Sequence, residues 1–337
     1  MIAGLHPVMR HQRMITRRTT LAALATAAAP AAWAQDSFGA FVQGVKADAR
    51  RQGIREATLT QAFAGVVPNQ RVIELDRKQP EFNLTWPQYR ERVLPASRMQ
   101  AARGHFTAER ALLSRVEARY GVDAGTMIGI WGIESAFGVN KGNYRLTEAL
   151  TTLAWEGRRT AYFRKELLNA LKILDAGDVS VARLTGGYAG AMGQPQFMPS
   201  SYLQYAVDFD GHGRRDIWDS KPDVFGSMGN YLARNGWRRG EPWGQPVRVP
   251  PGLSSGGRDD KRLLGEWMRA GVAREDGRPF SRTDVAAGLV LPDGADPGEG
   301  YLVYTNFTAL RRYNPSDFYA LAVGLLGDAA AGCSGGC

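Results

Sequence analysis

Residues 127–138 read Met-Ile-Gly-Ile-Trp-Gly-Ile-Glu-Ser-Ala-Phe-Gly, and they decide the fold because they set one carboxylate in an otherwise apolar stretch. The apolar residues leave no polar face, which predicts a helix that is buried on all sides. Asp123 is a good N-cap for this helix, and Gly138 is a natural end. The helix would carry Glu134 to a place where water is scarce.

Burial disfavours the charged form of a carboxyl group and therefore raises its pKa, which for an exposed Glu is about 4.3. A raised pKa keeps the group protonated near neutral pH, as a proton donor requires. Glu134 is thus a candidate general acid. The alternative is a buried Glu that pairs with an Arg for structural reasons, since ion pairs also perturb pKa values.

The sequence around this segment predicts a mainly helical protein. Three- and four-residue apolar spacing predicts helices over 108–120 (closed by Gly121), 161–174, 223–235 and 316–326. Residues 186–205 are rich in Gly, Met, Gln, Pro and Ser, which favours a shaped loop. Residues 240–300 are Gly- and Pro-rich with short Val and Leu runs, as in loops and small strands inserted before the last helix.

The first 34 residues predict a cleaved secretory signal peptide. They hold four arginines, no acid and a short apolar run, and they end in Ala32-Trp33-Ala34, with cleavage expected after Ala34. Thr16 to Leu21 resembles a twin-arginine signal, but Thr20 stands where Phe is usual, so the export route stays open. The apolar run is shorter than the ~20 residues that span a bilayer, and no Cys stands at the cleavage site to carry a lipid. We expect a periplasmic protein without a transmembrane anchor.

Composition and charge indicate a globular protein and argue against nucleic-acid binding. The 337 residues are 44% hydrophobic and 22% charged, an ordinary globular composition that can bury a full core. The formal net charge is +9, and loss of the four leader arginines leaves 38 basic against 33 acidic side chains, a net charge of +5. Nucleic-acid binding is not expected, because no basic run or aromatic-basic repeat is present. The remaining positive charge also suits binding to cell-wall glycan with acidic peptides.

Cysteine and histidine are too few for most catalytic centres. Cys333 and Cys337 are the only cysteines, and both lie in the small-residue tail 331–337, where a local disulfide is expected after export. After cleavage only His105 and His212 remain, and neither accompanies a nucleophile signature such as Gly-x-Ser-x-Gly. Carboxylate chemistry is what remains.

Four segments that follow one another in the chain carry a resemblance to a known family. They are Trp-Gly-Ile-Glu-Ser-Ala-Phe-Gly from Trp131, Gly-Ala-Met-Gly-Gln-Pro-Gln-Phe-Met-Pro-Ser-Ser-Tyr from Gly190, Asn-Tyr at 230 and Arg-Tyr-Asn at 312. Together they resemble the lytic murein transglycosylase B family, also called soluble lytic transglycosylase family 3, over about residues 38–328. The resemblance implies a mainly α protein: a lysozyme-like helical catalytic core within a domain over 35–330, with a small inserted loop and β subdomain within about 205–300.

The resemblance also implies a reaction with a single carboxylate. Glu134 matches the family acid that protonates the oxygen between N-acetylmuramic acid and N-acetylglucosamine, then takes a proton from the muramoyl C6 hydroxyl as a 1,6-anhydro ring closes. A hydrolytic glycosidase needs a second carboxylate, whereas a tethered nucleophile removes that need. The nearest candidates in sequence, Glu148 and Glu156, fall on positions expected to be solvated. No cofactor is implied for the chemistry.

Further site residues follow from the same resemblance, motif by motif. Gln196 and the tyrosines Tyr231 and Tyr313 match positions near the acid, and each amide or hydroxyl suits hydrogen bonding to a sugar. The arginines Arg158 and Arg159, followed by Tyr162, match a segment that meets peptide and lactyl carboxylates. The other implied positions are Tyr89, as an outer sugar-stacking residue, and Asn306, as a support of the cleft. One departure is visible, since Gly187 stands where relatives carry a Ser.

Residues 208–219 read as a twelve-residue calcium loop with two departures. Oxygen ligands stand at its first, third and ninth positions, Asp208, Asp210 and Asp216. The departures are His212 at the fifth position, because imidazole suits a hard cation poorly, and Asp219 at the twelfth, which is shorter than the usual Glu. The resemblance implies that the Arg214 carbonyl contributes and that a later acid, Asp223, closes the cage. The alternatives are a weak structural calcium site and a surface turn that keeps its shape without metal.

The expected protein is a peptidoglycan lytic transglycosylase that acts through Glu134, with glycan strands and cell-wall synthesis proteins as partners, and as a monomer. One rival is a muramidase that uses the same acid but admits water to C1. The other is a non-catalytic glycan-binding or scaffold protein that has kept the cleft.

Overall fold

The computed structural model describes residues 29–78 and 84–333, with side chains from Ser37 onward. Residues 1–28 of the predicted signal peptide, and Cys337 of the tail, lie outside the described residues. The helices within the described part are α1 (Ala29–Arg51), α2 (Glu56–Phe63), α3 (Gln70–Arg77), α4 (Trp86–Val93), α5 (Ala96–Ala108), α6 (Arg110–Tyr120), α7 (Ala124–Ser135), α8 (Leu146–Glu156), α9 (Thr160–Ala176), α10 (Pro199–Tyr205), α11 (Lys221–Arg234), α12 (Leu264–Arg269), α13 (Thr305–Tyr313) and α14 (Asp317–Ala331). The strands are β1 (Tyr144–Arg145), β2 (Thr185–Gly186), β3 (Gly244–Arg248), β4 (Gly257–Leu263), β5 (Ala273–Arg274), β6 (Ala286–Val290) and β7 (Glu299–Val303).

Helix α7 is the central element of the fold, as its apolar sequence predicts. Every residue from Ala124 to Gly132 is buried, and the Asp123 carboxylate accepts a hydrogen bond of 2.7 Å from the Thr126 backbone N–H, so the predicted N-cap is confirmed. The helix ends at Ser135, three residues before Gly138, and the prediction that Gly138 ends it is wrong.

Helix α14 packs lengthwise on α7 because glycines let the two backbones approach. A Cβ built on Gly125 would lie 2.8 Å from the Gly327 carbonyl oxygen, and one on Gly129 would overlap the carbonyl oxygen of Val323. Any larger residue would therefore push the helices apart. This close contact sets the position of every side chain that α14 presents to the end of α7.

The remaining helices surround this pair. Helices α5, α13 and α4 pack on α14, and α6 and α11 lie beside α7. Helices α8 and α9 form a second pair that α1, α2 and α3 cover. Gly121, with φ of 72°, ends α6 in the left-handed conformation as predicted.

A five-stranded antiparallel sheet packs against the helices and also carries a second hydrophobic core. Its strand order is β4-β6-β7-β3-β5, and Trp267 of α12 is fully buried in a hydrophobic cluster distinct from that of the helices. The Trp86 indole of α4 joins the helices to the sheet by donating to the Glu299 carboxylate at 2.9 Å. The strands β1 and β2 pair separately beside α8.

Helices α8, α10, α12 and α13 were not predicted. Residues 199–205, expected as loop, form α10, because Pro199 fixes the first turn and the Glu166 carboxylate accepts from the Ser200 N–H at 2.8 Å. Helix α13 joins the last strand to α14.

No helix among the described residues is long and apolar enough to cross a membrane. Cys333 takes part in a disulfide.

Candidate functional site

The site centres on a carboxylate held by a tyrosine hydroxyl. Glu134 lies in the last turn of α7 and is half-buried, and the Tyr319 hydroxyl of α14 donates a hydrogen bond of 2.7 Å to its Oε1 atom. Burial, reinforced by the nearby Glu134 charge, raises the pKa of Tyr319 well above its usual value. Tyr319 therefore stays protonated near neutral pH, as the hydrogen bond that it donates to Glu134 requires.

Strained backbone surrounds the carboxylate. Within the described residues three non-glycine residues have a positive φ, and all belong to this site: Ala136 (49°), Phe137 (60°) and Gln196 (51°). A left-handed conformation costs a residue with a Cβ about 1–2 kcal/mol, and such strain persists where the surrounding structure enforces it. The turn after Glu134 and the loop that carries Gln196 are thus both held in unfavourable shapes.

The loop before α10 is fastened to α7. The Trp131 indole donates to Gln194 Oε1 at 2.7 Å, and Gln194 donates in turn to the Trp218 carbonyl at 2.8 Å. Gln196 donates to the carbonyls of Gly193 (2.7 Å) and Lys141 (3.3 Å). Gln194 was not singled out from the sequence, although the motif contains it.

Three tyrosine rings line one side of this loop. The rings of Tyr231 and Tyr313 have centroids 4.7 Å apart, and Tyr313 stacks on Tyr319 at 6.4 Å. The Tyr313 hydroxyl donates to the Pro195 carbonyl at 2.6 Å, and that of Tyr231 donates to the Arg312 carbonyl at 2.5 Å. Burial raises the pKa of Tyr231 to about 12. The structure therefore brings Tyr231 and Tyr313 together with Glu134.

Tyr89 approaches the same site from α4. Its ring stacks on that of Trp86, with the ring centroids 6.2 Å apart. The ring of Phe318, the residue before Tyr319, lies 5.7 Å from the Tyr89 ring, centroid to centroid.

The arginine pair lies at the turn between α8 and α9, where both guanidinium groups pair with the Asp76 carboxylate of α3. Asp76 is buried, whereas the side chains of Arg158 and Arg159 are 46% and 42% exposed. Tyr162 beside them is also exposed. Asp76 was not predicted as a site residue from the sequence.

Asn306 does not reach an open surface. It is fully buried in α13, its oxygen accepts from the Arg238 N–H at 2.7 Å, and its amide donates to the carbonyls of Arg238 and Glu241. Its contacts fix the loop that precedes the sheet.

The two acids expected to be solvated are half-buried and bonded elsewhere. Glu148 accepts from the Asn69 amide at 2.7 Å, and Glu156 pairs with Arg77 at 2.6 Å. The expectation of solvated positions is wrong for both, because α3 packs over α8 and supplies these partners. Both carboxylates serve the packing of α3.

Three carboxylates converge in the loop 208–223. The ligand atoms of Asp208, Asp210 and Asp223 all lie within 4.8 Å of one another. Burial raises the pKa of Asp223, although its oxygens accept from the N–H groups of Phe209 (2.7 Å) and Asp216 (2.8 Å). A hard cation suits this oxygen set and would offset the mutual repulsion of the three charges.

Asp219, the acid at the regular twelfth position, does not belong to the three-carboxylate cluster. It pairs with Lys141 at 2.9 Å and with Arg183. His212 Nδ1 lies 2.7 Å from Asp210 Oδ1, so it takes up part of one ligand group. Arg214 is exposed.

Comparison with known proteins identifies this arrangement. Residues 37–328 match the family described as Transglycosylase SLT domain. The chain belongs to this family of lytic transglycosylases. It is 35% identical over 254 residues to membrane-bound lytic murein transglycosylase B of Escherichia coli (strain K12), an alignment that covers 74% of this chain and 68% of the relative.

Solved lytic transglycosylases share the fold. SltB3 from Pseudomonas aeruginosa in complex with NAG-NAM-pentapeptide is 43% identical, with a TM-score of 0.83 over 88% of this chain and 80% of that one. Slt35 from Escherichia coli in complex with calcium is 30% identical, with a TM-score of 0.74 over 88% and 93%. The predicted mainly α, lysozyme-like fold and the prediction of a lytic murein transglycosylase are confirmed.

In this lytic transglycosylase Gly187 stands at the position where, by the resemblance, relatives carry a Ser. A Cβ built there would lie 3.6 Å from Gln196 Oε1, an ordinary van der Waals distance. The position therefore lies beside Gln196 and would accept a small side chain.

Proposed function

We propose that the protein cleaves the β-1,4 bond between N-acetylmuramic acid and N-acetylglucosamine in peptidoglycan without water, and releases 1,6-anhydromuramic acid ends. The observation that carries this proposal is the half-buried Glu134 carboxylate held by Tyr319. The comparisons add that SltB3 was solved with NAG-NAM-pentapeptide and with NAG-anhNAM-pentapeptide, the second of which carries an anhydro sugar.

Glu134 acts twice in the proposed reaction. As an acid it gives its proton to the glycosidic oxygen while the bond from that oxygen to the muramoyl C1 breaks. The muramoyl O6 then bonds to C1, and its proton passes to the Glu134 carboxylate, which restores the starting enzyme. Because the nucleophile belongs to the substrate, no second carboxylate is required. Glu148 and Glu156 take no part in the proposed reaction, because they are bonded to Asn69 and Arg77 and hold α3 on α8.

The surrounding residues bind and orient the glycan. The Gln196 amide and the tyrosines Tyr231 and Tyr313 line the sugar site, and the stacked ring of Tyr89 lies at its outer side. Aromatic faces and amide groups are the usual means of gripping a sugar. Arg158 and Arg159, with Tyr162, meet the carboxylates of the stem peptide.

The proposal is tested by mass spectrometry of fragments released from purified peptidoglycan by the mature protein, with Glu134→Gln and Glu148→Gln in parallel. Anhydro-muropeptides should form with wild type and with Glu148→Gln, and should be absent with Glu134→Gln. Reducing-end products, which are one water heavier, would instead establish a muramidase. Binding without release by wild type would establish a scaffold.

The enzyme acts in the periplasm after removal of residues 1–34, where its substrate and the proteins of cell-wall synthesis are found. Osmotic-shock fractionation of cells that express the full chain, followed by N-terminal sequencing, tests this: a mature chain that begins at Gln35 is expected.

A structural calcium ion stabilises the loop 208–223. The carboxylates of Asp208, Asp210 and Asp223 would hold it, with the Arg214 carbonyl as a further ligand. The ion takes no part in the chemistry.

A further inference from the structure

The Asp76 carboxylate is arranged to hold two arginines in fixed positions. It is 2% exposed, each of its oxygens accepts from one guanidinium group, and its own backbone carbonyl accepts a third hydrogen bond of 2.6 Å from Arg158. Arg159 is further restrained because its guanidinium lies 4.7 Å from the centre of the Phe163 ring. Both arginines keep close to half of their side-chain surface exposed.

This cluster remains able to bind an anion. Two guanidinium groups and one carboxylate carry a net charge of +1, and a guanidinium offers five N–H donors, of which Asp76 occupies only some. Free arginines lose much side-chain entropy when a ligand fixes them, so arginines that the protein already holds bind at a lower entropic cost.

The cluster follows the end of α8, and the loop that carries Gln196 packs on the same helix. A Cβ built on Gly190 of that loop would lie 2.7 Å from the Leu150 side chain of α8, and α8 ends at Glu156, just before Arg158. Gly187 of the same loop lies beside Gln196, since a Cβ built there would be 3.6 Å from Gln196 Oε1. A glycan bound at Gln196 can therefore extend its peptide toward the arginines.

Contacts other than those of Asp76 also hold α3 on α8. The adjacent Arg77 pairs with Glu156 at 2.6 Å, and at the other end of α3 the Asn69 side chain donates to Glu148 and its backbone N–H donates to Thr152. These contacts already fasten α3 to α8.

We propose that Asp76 is a positioning residue that pre-sets Arg158 and Arg159 to bind a carboxylate of the stem peptide. This inference rests on the proposed function, and it extends it by assigning the preference for peptide-bearing strands to a buried acid that never touches the substrate. The neutral variant Asp76→Asn would raise the net charge of the cluster to +2, yet weaken its grip on an anionic peptide because both arginines become free to move.

The test compares two ligands on the inactive Glu134→Gln background: a NAG-NAM-pentapeptide fragment with free carboxyl groups and the same fragment with carboxamides. Calorimetry should show that Asp76→Asn raises the Kd of the free-acid ligand about tenfold and that of the amide ligand less than twofold. Asp48→Asn is the matched control, since Asp48 also bridges two arginines, Arg51 and Arg164, at the contact of α1 with α9. It should leave both Kd values unchanged.

Three results would overturn the inference. Equal weakening of both ligands by Asp76→Asn would make Asp76 merely structural. Tighter binding of the free-acid ligand by Asp76→Asn would show that the net charge of the cluster alone governs recognition. Equal affinity of the Glu134→Gln protein for the two ligands would show that the protein does not recognise the carboxylate. Binding is measured without turnover, so failure of the proposed reaction would leave this test intact.

Discussion

At the scale of single residues, the structure makes Glu134 depend on Tyr319. A half-buried carboxylate on the last turn of a helix has some freedom of rotation, and the Tyr319 hydroxyl limits that freedom by fixing one oxygen at 2.7 Å. The left-handed residues Ala136 and Phe137 fix the backbone that follows. The acid is thus positioned from two directions before any substrate binds.

Replacing Tyr319 by Phe should impair catalysis more than folding. Hydrogen bonds to charged groups are worth about 1.5–3 kcal/mol, so kcat/KM should fall about 10- to 100-fold. The measurement is the rate of anhydro-muropeptide release. Tyr202→Phe is a suitable control, because the Tyr202 hydroxyl is also buried but donates to the Arg215 carbonyl at 2.5 Å. A fall of the same size in both variants would trace the effect to stability and not to Glu134.

The sequence was informative at this scale where a residue's role is local. Glu134 and its cap Asp123 could be found because the apolar run and the capping position are adjacent in the chain. Tyr319 could not, because it stands among apolar residues of α14 and resembles a core position until the packing on α7 is known. Asp76 was missed for the same reason, since its partners lie about 82 residues away.

At the scale of elements, glycine spacing controls how α7 meets α14. Gly125 and Gly129 lie one turn apart on α7 and face Gly327 and Val323 of α14, with backbone contact between the helices. The sequence contained this pattern as Gly-x-x-x-Gly at 125–129, but the pattern alone does not name the partner helix. The distance between the helices in turn sets the bond between Glu134 and Tyr319.

Gly129→Ala should therefore destabilise the protein and disturb the site. The added Cβ would overlap the Val323 carbonyl oxygen, which belongs to the backbone and cannot rotate away. Overpacking of this kind typically costs about 1–3 kcal/mol. Gly104→Ala is the matched control, since a Cβ there meets nothing within 4 Å and alanine favours a helix over glycine by about 1 kcal/mol. Thermal unfolding should move the two melting temperatures in opposite directions; a stabilised Gly129→Ala would contradict the proposed contact.

The limits of elements were predictable where a residue type forces them. Gly121 ends α6 as expected, whereas α7 ends at Ser135 and is capped by Ala136, an alanine with φ of 49° against its own preference. Local propensity does not foresee such a forced end. Helix α10 was missed because the Glu166 carboxylate that caps it comes from α9.

At the scale of the whole molecule there are two hydrophobic cores, and the sheet contributes to both, since Val290, Tyr301 and Val303 pack in the helical core. Tyr319, which holds Glu134, is buried in the helical core, and Trp267 is buried in the second core. The loop 208–223 belongs to the helical part, since it connects α10 to α11. Asp223 of α11 holds the loop by accepting hydrogen bonds from the N–H groups of Phe209 and Asp216. A cation bound there would stabilise the unit that holds Glu134.

Calcium should accordingly raise the melting temperature by a small amount. With a Kd near 1 mM, as in weak extracellular sites, 10 mM Ca²⁺ adds about 1.4 kcal/mol, or about 2–3 °C for a chain of this size. Asp223→Asn should abolish this rise, because its carboxylate belongs to the cluster. Asp219→Asn should keep the rise, because Asp219 is bound to Lys141 and Arg183 instead.

Calorimetric scans with Mg²⁺ at equal concentration control for ionic strength. If Asp219→Asn lost the rise in melting temperature and Asp223→Asn kept it, Asp219 would be the calcium ligand, at the regular twelfth position of the loop. If the wild type showed no rise, the proposed calcium site would be contradicted.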